Sequence, residues 1–303
     1  MVGPHWKADY LPEAARDPSR SGEIMMASSV SALRSRTRGI AQLTPGRTHG
    51  PITRLMSPGD LGELVKPFVF LDYFEAPSSG GPQMADHPHS GIATHTTLLE
   101  GSIDYRDSTG KSGRLPPGSV EWMQAGGGVW HGGTLVPGAR IRGYQLWVAL
   151  PASLEHSPAQ SEYLEPGTIP TDGRVRVLLG SHGGLRSAIA DVSPMTYLHV
   201  RLQAGETWRY QPPARHDVAW LAVNEGRLHV AGAVVARQMA VFEDGDGALE
   251  LRAEGATELV LGSAVKHPHP LVCGYYSVHT SERALAIGEA GIRTVAGQLG
   301  AAM

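Results

Sequence analysis

The stretch Asp86-His87-Pro88-His89-Ser90-Gly91 opens onto a threonine-rich apolar run that ends at Glu100-Gly101. Residues i and i+2 of a strand share a face, so His87 and His89 present two imidazoles side by side, while Pro88 points away and stiffens the strand end. Two such nitrogens can serve one metal ion at about 2.0–2.2 Å. A turn carrying two solvated histidines is the other reading of the same spacing. A third ligand has to come from another strand, and "AGGGVWHGG" (125–133) supplies His131, isolated among glycines that let a neighbouring backbone come close. With that third histidine the metal reading is the stronger one. His95 shares parity with His89, but six strand residues at about 3.3 Å each carry it roughly 20 Å along, too far for the same ion.

The elements that must position these histidines are mostly strands. The 38 glycines and 22 prolines of the 303 residues stand singly between apolar runs, which predicts many short strands joined by turns. Residues 1–45, rich in Pro, Ser, Arg and Ala without a sustained period, read as a flexible N-terminal extension, and Met25-Met26 offers an alternative start. "KPFVFLDYFEA" (66–76) then opens a strand series that continues through "HTTLLEG", "SIDYRD", "SVEWMQA", "VWHGG" and "IRGYQLWVAL" and stops at Pro151. Residues 152–172 read as a linker, and a second strand series runs from "RVRVLLG" to "TELVLGSAV". Only the end predicts a helix, from the N-cap Ser281 through Leu285, Gly288, Ile292, Val295 and Leu299 at steps of three and four.

The two strand series look like copies. "LLEGSIDYRD" (98–107) and "AVNEGRLHVA" (222–231) both run strand, Glu-Gly turn, strand. Counting back equally from Glu100 and Glu225 sets His87 against Pro212 and Pro88 against Pro213, which places the chemistry in the first copy only.

Other features exclude function classes or read as structural. A net charge of −3 and a pI near 6.5 give no basic stripe for nucleic acid. No apolar run is long enough for a membrane span, the N-terminus has no signal-peptide core, and the single Cys273 suits a reducing compartment, so a cytoplasmic protein is expected. Cys273 itself reads as an inert buried thiol. The second His-Pro-His, at 267–269, reads as structural, and His199 and His229 as satisfied strand side chains. Trp122, Trp130 and Trp147 are core candidates that could instead line a pocket for a flat aromatic ligand.

Taken together, "FVFLDYFEAP", the long block 86–133 and "HPLVCGYYSVHTSERAL" closely resemble the pirin family of bicupins, over roughly residues 46–300. The resemblance implies an all-β bicupin, two stacked cupin β-barrels with a C-terminal helix: an N-terminal cupin over 46–165 and a C-terminal cupin with the terminal helix over 166–303. It implies a metal, usually iron, in the first barrel, held by His87, His89, His131 and a glutamate two residues beyond. That glutamate is missing, since Gly133 stands in its place, and Ala93 and Thr94 occupy the other carboxylate position familiar from cupins. Glu121, Asp86 or Gln124 could contribute, and the spacing picks out none of them.

Three neutral imidazoles leave an ion its full charge, which disfavours hard cations and suits Fe(II), Zn, Ni, Cu or Co, with open positions for water, substrate or dioxygen. By resemblance the activity is that of a quercetin (flavonol) 2,3-dioxygenase. The alternative is a non-enzymatic, metal-dependent binding or regulatory protein with a protein partner. A flavonol-like aromatic ligand belongs to the first reading; neither involves direct contact with nucleic acid or a membrane.

Overall fold

Along Ile92–Glu100 alternate side chains enter two different interiors. Ile92 and Leu98 face the inside of the first half of the molecule, with Thr94 and Thr96 between them, while Ala93 and His95 face the other half. This is the period-2 alternation of a strand buried on both sides, which explains why the run is apolar or threonine apart from His95 and the terminal Glu100. The protein is described by a computed structural model covering residues 37–77, 84–138 and 140–301.

Each half pairs a large antiparallel sheet with a four-stranded one. In the first half the large sheet runs Gln160–Leu164, Val120–Gln124, Ile92–Glu100, Ile141–Ala149, Phe68–Ala76, Ile52–Met56, Arg47–His49; the small one runs Met84–His89, Val129–Leu135, Ile103–Asp107, Ser112–Leu115. In the second half the large sheet runs Ile40–Thr44, Met239–Phe242, Val218–Glu225, Thr257–Ala264, Met195–Leu202, Val175–Leu179; the small one runs Thr207–Tyr210, Leu249–Ala253, Leu228–Val230, Ala233–Val235. Strand for strand the order is the same, apart from the extra edge strand Arg47–His49, so the duplication expected from the two Glu-Gly turns is present in the topology. The expected mostly-β architecture with a C-terminal helix is borne out. Among the described residues the only other α-helix is Leu61–Val65, capped by Asp60 and too short to leave a period in the sequence.

Two of the sequence expectations change. Ile40–Thr44, placed in the flexible extension, is a strand that pairs with Met239–Phe242 of the second half; residues 1–36 of that extension lie outside the described residues. Gln160–Leu164, inside the expected linker, is the equivalent edge strand of the first half and pairs with Val120–Gln124. Each is five residues long, and its conformation is set by the edge it completes.

The large sheets pack against one another through a shared core. Met56, Phe68, Leu71, Val120, Trp122 and Tyr144 of the first half meet Tyr197, Trp220, Met239 and Val260 of the second. At the edge of this seam the buried Arg142 reaches Glu100 at 2.7 Å, Glu225 at 3.0 Å and Glu258 at 2.5 Å. Glu258 also takes His199 at 2.9 Å and Arg201 at 2.8 Å, and these contacts hold its carboxyl below the ordinary range although burial alone would raise it.

After the last strand of the second half the chain returns to the first. The hairpin Val272–Gly274/Ser277–His279 and the helix Glu282–Ala301 pack there, the helix against Val129–Leu135. The expected cap holds, with Ala284 N donating to Ser281 Oγ at 3.2 Å. Trp130 Nε1 donates to the Ile292 carbonyl at 3.1 Å. Gly291 is required here, because a Cβ would sit 1.9 Å from the Gly127 carbonyl oxygen. No described helix is long and apolar enough to cross a membrane.

Candidate metal centre

His87 and His89 stand on Met84–His89, and His131 stands directly opposite His87 on Val129–Leu135. The structure brings all three together, with one nitrogen of each lying within 4.8 Å of the others. The strand spacing thus places the pair as the sequence suggested, and the cross-strand register delivers the third. His89 and His131 are buried and His87 half-buried, so the cluster opens on the His87 side.

Each imidazole is held by its Nδ1. His87 Nδ1 faces the Ala85 carbonyl at 2.9 Å, His89 Nδ1 the Tyr276 carbonyl at 3.0 Å, and His131 Nδ1 the Glu121 carboxylate at 3.1 Å. All three partners are acceptors, which assigns the proton to Nδ1 in each ring and leaves a lone pair on Nε2. The Nε2 atoms of His87 and His131 are then 3.1 Å apart. A single ion lying against both, or one proton shared between them, accounts for that approach, and about 3 Å is the separation of two nitrogens each ~2.1 Å from one ion. Burial, then the neighbouring His131, lowers the pKa of His87, and burial lowers that of His89 much further. Both are therefore neutral near pH 7, the form in which imidazole binds metal. The donor set fits a divalent ion.

Of the three polar residues singled out as extra ligands, only Glu121 reaches the cluster, and it does so through His131. It is buried, and burial would raise its carboxyl, but the His131 contact and the Thr96 hydroxyl at 2.6 Å bring it below the ordinary value. Thr96 in turn lies 2.9 Å from the Gln145 amide. This outer chain holds the His131 ring in place. Asp86 pairs instead with Arg106 at 2.8 Å, and Gln124 with Ser157 at 3.0 Å.

The other expectations separate clearly. Trp147 lies 5.0 Å from the His89 ring and stacks on Phe70 at 4.2 Å, so it borders the site, whereas Trp122 belongs to the seam and Trp130 to the helix contact. Tyr276, not singled out in the sequence, has its ring centre 5.5 Å from His87 and 5.8 Å from His89. His95 does not share the face of His89: Gly91, at φ +72, resets the alternation, and His95 turns to the seam against Tyr197 at 5.2 Å. Cys273 is exposed, which corrects its expected burial. His267 is buried below the Lys66 backbone, with Lys66 Nζ donating to the His269 carbonyl at 2.8 Å, a structural arrangement as expected. His199 is satisfied by Glu258, and His229 is partly exposed beside Glu254 at 3.6 Å.

The second half shows what the same plan looks like without polar chemistry. Pairing registers set His131 against Leu249, His87 against Tyr210, Glu121 against Ala240, Thr96 against Leu221 and Gln145 against Leu261. The partner of His87 is therefore Tyr210, not the Pro212 given by counting, because the two turns before the Glu-Gly strands differ in length. These five counterparts, four of them aliphatic and one a tyrosine, belong to one continuous core. The cavities of about 530 and 620 Å³ lie on the far side, lined by residues such as Pro51, Tyr73 and Arg140 or Arg47 and Arg54, and touch none of the three histidines.

Comparison with known proteins agrees with this geometry. Residues 51–148 match the family described as Pirin. A Pirin-like protein of Caulobacter vibrioides is 35% identical over 66% of this chain and 74% of its own length. A candidate quercetin 2,3-dioxygenase of Pseudomonas aeruginosa is 32% identical over 74% of this chain and 84% of its own. The crystal structure of a quercetin 2,3-dioxygenase from Acinetobacter baumannii superposes with a TM-score of 0.78 over 86% of this chain and 98% of that one; at 23% identity the likeness is one of fold. On the shared motif block, the sequence identities and the two-unit β fold, the chain belongs to the pirin family.

Proposed function

We propose that the protein is a mononuclear metal-dependent oxygenase of the quercetin-cleaving type, in which His87, His89 and His131 hold one divalent ion, iron first among Fe, Zn, Ni, Cu and Co. The observation that carries this reading is the approach of the two Nε2 atoms to 3.1 Å, with all three Nδ1 positions engaged elsewhere. A bound ion would supply Lewis acidity at the vicinal oxygens of a flavonol-like substrate. The chain's part is to keep three imidazoles aimed at one point and to leave the His87 side open. Trp147 and Tyr276 offer aromatic surface beside that opening. The Pseudomonas relative's description supports the choice of substrate class.

One observation favours a second reading. Glu121 is turned to His131 Nδ1, and Gly133 has no side chain, so neither is placed to accept a substrate proton. Without such a base the site would serve a metal-dependent binding or regulatory protein that acts through a partner.

The experiment is metal analysis of protein purified without a histidine tag, followed by dioxygen uptake with quercetin. Stoichiometric metal with quercetin-dependent uptake supports the oxygenase. Stoichiometric metal without uptake moves the conclusion to the binding protein, and failure to retain any divalent ion overturns both.

A further inference from the structure

We propose that Glu155 and His279, with Ser90, form a clasp that positions the metal ligand His89, so that residues outside the three-histidine set decide how firmly an ion is held. The inference rests on the three-histidine reading and adds to it a role for the far end of the chain.

The acceptor for His89 Nδ1 is the carbonyl of Tyr276, 187 positions further along the sequence. Tyr276 sits at the tip of the hairpin Val272–Gly274/Ser277–His279 with φ +56. A bulky side chain in the left-handed region costs about 1–2 kcal/mol, so the turn does not hold that shape unaided. The hairpin also has little backbone pairing to the first half. A single parallel bridge, Ser90 to Ser277, and a 3.3 Å bond from Val278 N to the Ser90 carbonyl join them directly. Side chains must do the fastening.

They converge on Glu155, in the turn that ends the first half. Glu155 Oε2 lies 3.0 Å from His279 Nδ1 and accepts from Thr280 N at 2.9 Å, while Oε1 accepts from the Thr280 hydroxyl at 2.7 Å. The other face of the His279 ring system is tied as well, with Nε2 3.0 Å from Ser90 Oγ, which is 2.9 Å from Ser277 Oγ. Ser90 is the residue after His89, so the clasp closes on both sides of the ligand: through Ser90 on its own strand and through Tyr276 across from it. Space is cut for it by glycine. A Cβ at Gly288 would lie 2.2 Å from His279 Nε2, and one at Gly91 would lie 2.1 Å from the Val278 carbonyl oxygen.

Glu155, His156 and His279 could be read as a second metal group, and Ser90-His279-Glu155 as a nucleophilic relay. The geometry supports neither. Both His279 nitrogens and both Glu155 oxygens already have partners, the His156 ring stacks on His279 at 5.1 Å and 23°, and Ser90 is fully buried. What remains is orientation of His89.

The test is Co(II) titration of the metal-free protein, following d–d absorption for both affinity and ligand geometry. For Glu155→Gln and His279→Gln we expect Co(II) binding weakened by about 10–100-fold with an altered spectrum and an unchanged far-UV circular dichroism spectrum. Cys273→Ser, an exposed change on the same hairpin, should bind as the unaltered protein does. If Glu155→Gln binds Co(II) with native affinity and spectrum, the clasp does not position His89 and the proposal is overturned, even if that variant melts at lower temperature. Should Glu155→Gln fail to fold, Thr280→Val removes one bond to the same carboxylate and decides in the same way. If the unaltered protein takes up no Co(II), the three-histidine reading itself fails first, and this inference falls with it.

Discussion

His131 differs from the other two histidines in what it leaves behind. Removing His87 takes away an imidazole whose Nδ1 partner is a backbone carbonyl, whereas removing His131 also abandons Glu121, a buried carboxylate left with Thr96 alone. Both His87→Ala and His131→Ala should lose metal on dialysis. Compared metal-free, His131→Ala should be less stable than His87→Ala by on the order of 1–3 kcal/mol, measured by urea denaturation; equal stabilities would mean that Glu121 is satisfied without it. Gly133 makes a second case. A Cβ there would lie 2.9 Å from Ile103 Cγ2 and 3.0 Å from the Asp104 carbonyl oxygen. Gly133→Glu is therefore expected to lower the melting temperature and to gain no metal affinity, although it restores the family's pattern; tighter Co(II) binding at undiminished stability would refute this. The juxtaposition of His87 and His89 was legible because residues i and i+2 of a strand share a face. Glu121 was not, because its role depends on which residue of a neighbouring strand stands opposite Thr96, and His95 misled because Gly91 breaks the alternation that a parity count assumes.

At the scale of elements, the strands with a clear apolar run were legible and the edge strands were not. Ile40–Thr44 and Gln160–Leu164 carry no period of their own, yet each covers an edge that would otherwise expose unpaired backbone groups. Deleting residues 37–46 should bare the edge of Met239–Phe242, all four residues of which are buried. We expect a lower melting temperature and concentration-dependent association on size-exclusion chromatography. A deletion variant that stays as stable and as well dispersed as the full chain would show that the strand is dispensable. The helix Glu282–Ala301 was foreseen from its cap and spacing, but no pattern within it could say that it lies on the first half, since that follows from Gly128 and Gly291 letting two backbones meet.

Over the whole molecule, buried neutral histidines set the response to acid. Burial lowers His95 to about 3, and burial with the neighbouring His269 and Lys66 lowers His267 to about 4. Between the ordinary histidine value near 6.5 and about 4, the unfolded chain binds protons that the fold refuses, so stability falls as pH falls through that window. The depressed carboxyls of Glu121, Glu155 and Glu258 keep their contribution until pH drops below about 4.5, the ordinary glutamate value. The melting temperature of the metal-free protein should therefore decline from pH 7 to 4.5, and His95→Leu, which also removes a buried Nε2 without a partner, should flatten that decline; an unchanged slope would assign the effect elsewhere. At the seam, Arg142→Met leaves Glu258 buried with its charge only partly met. A loss of about 3–5 kcal/mol is expected in denaturant titration, and a loss below 1 kcal/mol would show that Arg201 and His199 suffice.

The seam has a further consequence. The registers that match the two halves also match Arg142, opposite Glu100, with Glu258, opposite Glu225, and Glu75 with Arg201. These two equivalent pairs carry opposite charge, whereas Glu100 and Glu225 carry the same, and Arg142 and Glu258 meet each other across the seam. Two copies of the first half brought together in this way would set arginine against arginine, and two copies of the second would set glutamate against glutamate. Self-association of the second half is therefore penalised, because Glu225 and Glu258 would lose Arg142, while hetero-association is favoured. A chain cut between residues 165 and 174 should therefore reassemble from unlike pieces, as a heterodimer seen on size-exclusion chromatography.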